Sequence, residues 1–161
     1  MPFRHSLRAA TVAVVATVTL VGALTVTAAA SASARTVSGT EHITGLSTSP
    51  NGAMTIIARG PLHARGRDVV VNANRDRFVF PKGALIIRHV AVKQHDTFDK
   101  ATCYGTHTET GTYRVLGGTR AYAHASGHGQ YRVFVQFVGC SQANPPKVFI
   151  LQLNAAGPLS F

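Results

Sequence analysis

Gly111-Thr112-Tyr113-Arg114-Val115-Leu116-Gly117-Gly118-Thr119-Arg120-Ala121-Tyr122-Ala123-His124-Ala125-Ser126-Gly127-His128-Gly129-Gln130-Tyr131 is the stretch whose reading decides the fold. Its first part has the β-branched and aromatic residues of a strand, and Gly117-Gly118 then breaks that strand with a turn. The small residues that follow have room for one short helical turn. Gly127-x-Gly129 leads into a second strand.

Working outward, β-like runs recur along the chain and no amphipathic helix of useful length interrupts them. They cover 37–46, 53–64, 68–72, 77–80, 84–92, 102–108, 111–116, 129–138 and 147–155. Within 53–64, Met54, Ile56 and Ala58 alternate with Thr55, Ile57 and Arg59. Pro81-Lys82-Gly83 makes a hairpin turn, because proline fixes φ and glycine accepts a positive one. Ser49-Pro50-Asn51-Gly52 and Asn72-Ala73-Asn74 are further turn clusters, and 141–146 is a polar loop ending in Pro145-Pro146. None of these breaks is long enough for a domain linker. Short strands at this spacing predict an all-β sandwich or closed barrel, and only the barrel leaves no exposed edge.

The N-terminus reads differently. Arg4, His5 and Arg8 form a basic head, residues 9–30 carry no charge, and Ala32-Ser33-Ala34 offers the small side chains that signal peptidase accepts. The apolar run is long enough to span a bilayer, where roughly 20 residues suffice. Its Ala and Thr content favours a cleaved export signal over a permanent span. Residues 1–34 are therefore expected to be removed, leaving 35–161 as one exported domain without a membrane span. Removing Arg4 and Arg8 from the 16 Lys and Arg leaves 14 against six acids, a formal charge of +8. Cys103 and Cys140 lie in the exported part and lack Cys-x-x-Cys spacing, so a disulfide is expected.

The segment Gly-Thr-Tyr, Gly-Gly-Thr, a small-residue run with an aromatic, then Ser-Gly-x-Gly-x-Tyr resembles one found in secreted bacterial proteins, mostly actinobacterial, with the allene oxide cyclase-like barrel. Plant dirigent proteins share that fold. The likeness continues through Phe78-Val79-Phe80-Pro81, Phe98, Cys103, Pro145-Pro146 and Ala156-Gly157-Pro158. It implies a single antiparallel eight-stranded β-barrel with a partly apolar interior. The plant proteins act by shaping a reactive guest in a hydrophobic cavity, but no motif here matches their functional residues one by one. The resemblance therefore implies a cavity and no catalytic residue.

Chemistry-bearing residues form no motif. His124 and His128 have zinc-like spacing, yet Ser126-Gly127 weakens a helix there and the Glu of His-Glu-x-x-His is missing. His42, His63, His89, His95 and His107 are scattered, so no metal and no cofactor is expected. Ser126 lacks the Gly-x-Ser-x-Gly elbow. Glu41, Asp68, Asp76, Asp96, Asp99 and Glu109 are too dispersed to nominate a carboxylate pair, and Asp99-Lys100 reads as a turn. Arg59, Arg65, Arg67, Arg75, Arg77 and Arg88 suggest a basic outer face for an anionic envelope lipid or polymer; no nucleic-acid-binding signature accompanies them.

Ile57, Phe78, Phe80, Ile87, Tyr104, Tyr113, Tyr131 and Phe134 are the candidate cavity lining, subject to strand register, since a slip of one residue reverses the set. The sequence thus predicts a secreted protein holding a small apolar or amphipathic ligand. A cyclase-like or isomerase-like enzyme and an envelope-binding protein are the alternatives.

Overall fold

In the first strand, Glu41, Ile43, Gly45 and Ser47 are buried while His42, Thr44 and Leu46 between them are exposed. That period of two gives a strand with one face toward a core and one toward water. The computed structural model describes residues 36–141 and 144–161, which form eight strands. They are β1 (Ser38–Ser47), β2 (Thr55–Arg59), β3 (Ala64–Asn72), β4 (Arg75–Phe80), β5 (Gly83–Asp99), β6 (Tyr104–Gly118), β7 (Ser126–Val138) and β8 (Val148–Ser160). Each pairs antiparallel with the next, and β8 returns to β1 through a register from Ser38↔Ser160 to Ser47↔Leu151. The result is a closed eight-stranded barrel. The expected export signal, residues 1–34, lies outside the described residues.

One end of the barrel is plugged. Between β2 and β3 the chain turns at Gly60-Pro61 and folds Leu62 inward, its N–H donating to the buried Glu41 Oε2 at 2.7 Å. A single 3-10 turn, η1 (Arg120–Tyr122), lays the Tyr122 ring edge-on to Phe80 and Phe161, with centroids 6.2 and 5.1 Å away. The Thr119 side chain accepts from the Ala84 N–H at 3.0 Å, and the Thr119 N–H donates to the Ala84 carbonyl at 2.8 Å. Gly117, at φ +127°, absorbs the bulge that lets this turn form. Ile56 and Leu85, both fully buried, fill the layer above the plug. Each contributes about 1.5–3 kcal/mol by leaving water.

The structure redraws the sequence boundaries: β3 begins earlier, at Ala64, β7 at Ser126, and β8 runs on to Ser160. The run 53–64 is shorter, because β2 stops at Arg59 where Gly60-Pro61 turns the chain. Runs 102–108 and 111–116 are one strand: Gly111 does not break β6 but makes room on its inner face for the Tyr131 ring. The run 84–92 continues to Asp99 past a bulge at Ala91/Lys93. Strands β5 to β8 therefore outgrow β1 to β4 and stand as a tall wall at the open end. Cys103 and Cys140 are disulfide-bonded, with Cα atoms 4.8 Å apart, tying the β5–β6 hairpin to the loop after β7.

Candidate functional site

Above the packed layer the barrel is hollow. The cavity holds about 240 Å³, opens at the unplugged end, and is walled by Ile43, Met54, Phe78, Ile87, Val133, Leu151, Leu153 and Ala155. Strand parity explains the set: Ile43 pairs with Ala155, Val133 with Leu153, and all point inward with Ile87 and Phe78. At the rim, five polar groups from neighbouring strands meet this apolar wall: Asp68 (β3), Asp76 (β4), His89 (β5), Glu109 (β6) and Tyr131 (β7).

Hydrogen bonds order most of this rim. His89 Nε2 lies 3.2 Å from Asp76 Oδ2, and its ring stands edge-on to Tyr131 with centroids 5.7 Å apart. The Tyr131 hydroxyl donates to Glu109 Oε1 at 2.6 Å, and the Gln94 amide donates to Glu109 Oε2 at 2.6 Å. His107 Nε2 sits 3.9 Å from that oxygen, while its Nδ1 is 2.6 Å from Asp96 Oδ1. A band of polar groups thus runs from Asp76 on β4 to Asp96 on β5, joined at His89 and Tyr131 by an edge-on ring contact. Burial pushes the Glu109 carboxyl up, but bonds from Tyr131 and Gln94, with His107 and His89 nearby, hold it below the usual carboxylate range. Burial and the same bond to Glu109 push the Tyr131 hydroxyl well up.

Asp68 stands outside this band. It is 8% exposed, and its Oδ1 has no hydrogen-bond partner. Burial, with Asp76 adding repulsion, pushes its carboxyl from 3.8 up to about 7, against a backbone hydrogen bond from Val69. The two acids are diagonal neighbours on one inner face, since Asp68 pairs with Phe78 and Asp76 with Val70. Burial likewise raises Asp76, with His89 opposing. A carboxyl balanced near neutrality in an apolar cup can accept or donate a proton there.

Register sorts the expected lining. Phe78, Ile87, Tyr113 and Tyr131 are on the cavity wall. Phe80 is buried deeper, against Tyr122 in the plug. Ile57 goes to the outer face with Thr55 and Arg59, 36% exposed, because the inward set of β2 is Ile56 and Ala58. Tyr104, the first residue of β6, alternates with the buried Gly105 and is 40% exposed, its hydroxyl donating to Gln136. Phe134 alternates with the inward Val133 and Val135 and so faces out. The polar groups Asp68, Asp76, His89 and Glu109 were not singled out from sequence. Asp76-x-Phe78-x-Phe80 and Glu109-x-Gly111-x-Tyr113 carried the signal, an acid two residues from inward aromatics.

Arg59, Arg65, Arg67, Arg75, Arg77 and Arg88 are all exposed. Pairing places Arg75 opposite Arg88, Arg88 opposite Arg114, and Arg114 opposite His128, a row of basic side chains across four strands. Among the described residues, no group of His, Cys, Asp and Glu is arranged to hold a metal ion, and no helix is long and apolar enough to cross a membrane. No protein-family model, no curated protein and no solved structure matches this chain.

Proposed function

We propose that this protein is exported and holds a small apolar or amphipathic molecule in its barrel without transforming it. The observation that carries this reading is the one-ended cavity: a plugged floor, a largely apolar wall and a mouth bordered by polar groups. Its 240 Å³ lies just below the range of about 300–1,000 Å³ usual for ligand sites. That size suits a molecule smaller than a typical drug. Export is the role of residues 1–34, and the resemblance to allene oxide cyclase-like barrels agrees with a sheltered guest.

Calorimetric titration with n-octanol, a neutral molecule of suitable size, tests the reading. Saturable binding is expected in the parent. Ala155→Phe, which fills the cup from β8, is expected to lower affinity at least tenfold while the fold is retained. Equal binding by parent and variant would place the alcohol elsewhere and refute the assignment.

A second reading concerns the outside. Like charges set directly opposite one another in a sheet are unfavourable. The row Arg75, Arg88, Arg114 and His128 therefore favours contact with an anionic envelope lipid or polymer, which would relieve that repulsion.

A further inference from the structure

The cavity holds an unbalanced set of charges. Asp68, Asp76 and Glu109 face it from β3, β4 and β6, and His89 from β5 is the only basic side chain among its lining residues. Tyr113 and Tyr131 complete the titratable groups on the wall; β1, β2 and β8 present none to it. Every Lys and Arg among the described residues is exposed. Asp76 is paired with His89, and both oxygens of Glu109 are taken by Tyr131 and Gln94. Asp68 Oδ1 is left buried and unpartnered beside the apolar wall. A buried acceptor without a donor is costly, and the cost falls when a guest supplies the donor.

We infer that the guest is an apolar molecule bearing a protonated amine, whose ammonium group bonds Asp68 while its hydrocarbon body fills the cup. This rests on the cavity reading above and adds the chemistry of the head group. A cation serves better than a hydroxyl for two reasons. It satisfies the Asp68 oxygen with a charge-assisted bond, and it relieves the repulsion between Asp68 and Asp76. A carboxylate-headed guest meets the opposite: three acids and an orphaned acceptor.

The test compares n-octylamine, n-octanol and octanoate by calorimetry on the purified protein at pH 7.5. The amine is expected to bind about 10–100-fold more tightly than the alcohol, the advantage of a hydrogen bond between charged groups. Octanoate is expected to bind most weakly. In Asp68→Asn the amine's advantage should vanish while octanol binding persists, which also shows that the variant is folded. At pH 6, amine binding should release protons, because the ammonium displaces the one held by Asp68; repeating the titration in buffers of different ionisation enthalpy measures this. Equal affinity for amine and alcohol, or an amine preference that survives Asp68→Asn, overturns the inference and leaves the cavity reading standing. If none of the three binds, both fall.

Discussion

Asp68 is the residue on which most of the chemistry turns, and its position is a matter of pairing. The run Arg67-Asp68-Val69-Val70-Val71 has no clean alternation, so no face can be assigned from it alone. Only the register Asp68↔Phe78 turns the carboxyl inward. Its buried state predicts a pH signature. Folded Asp68 keeps its proton up to about pH 7, whereas the unfolded carboxyl releases it near 3.8. Between those values the folded state binds the extra proton, so this group's contribution to stability falls as pH rises and is gone above about pH 7. Asp68→Asn removes the dependence. Urea unfolding of parent and variant from pH 4 to pH 8 should show the variant gaining up to about 3–4 kcal/mol relative to the parent. A difference that stays constant across that range would show that Asp68 ionises normally in the fold. Ile57 carries the complementary lesson: it shares a face with Thr55 and Arg59, and the alternating, wholly apolar Met54, Ile56 and Ala58 are the set the barrel turns inward.

At the scale of elements, the segment from Gly111 to Tyr131 is legible because its breakers act locally. Gly117 makes the bulge, Arg120-Ala121-Tyr122 makes the 3-10 turn, and Pro81-Lys82 closes the β4–β5 hairpin. The disulfide is equally legible, from two cysteines without Cys-x-x-Cys spacing in the part of the chain read as exported. What sequence hides is cross-strand complementarity. Gly129 lies opposite Tyr113, and Gly111 opposite Tyr131, so each ring covers a glycine on the neighbouring strand. A Cβ added at Gly129 would clash with the Ala156 carbonyl oxygen on β8 and sit 2.7 Å from Tyr113 Cε1. Tyr113 is buried in the core cluster on the cavity wall, and a backbone carbonyl cannot swing aside as a flexible side chain can. Gly129→Ala is therefore expected to destabilise the barrel by about 1–3 kcal/mol in denaturant unfolding and to weaken octanol binding with it. A neutral substitution would mean that Gly129 is closed in neither by the β8 backbone nor by the Tyr113 ring. Read as breaks, these glycines divide β6 in two; seen as seats for rings, they continue it.

Across the whole molecule, charge is segregated by the wall of the barrel. Glu41, Asp68, Asp76 and Glu109 face inward, Asp96 stands on the inner side of the tall wall, and Asp99 caps the hairpin turn through bonds to Ala101 and Thr102. Among the described residues, none of the outer arginines has a carboxylate within ion-pair distance. Net charge alone, visible in the sequence, says only that the surface is basic; the alternation of eight strands makes the outside almost purely so. On an immobilised polyanion, the parent is expected to be retained and to elute with added salt, and the double variant Arg88→Glu, Arg114→Glu to elute at distinctly lower salt. Equal elution would assign retention to other cations. The central claim remains the sheltered guest. The measurement that tests it most directly is native mass spectrometry, with solvent extraction, on protein recovered from the medium of cells expressing the full chain. A chain beginning at Arg35, carrying one reproducible small apolar adduct that Ala155→Phe lacks, is the predicted result; a chain empty in both forms, or retained in the cells with residues 1–34 attached, would contradict it.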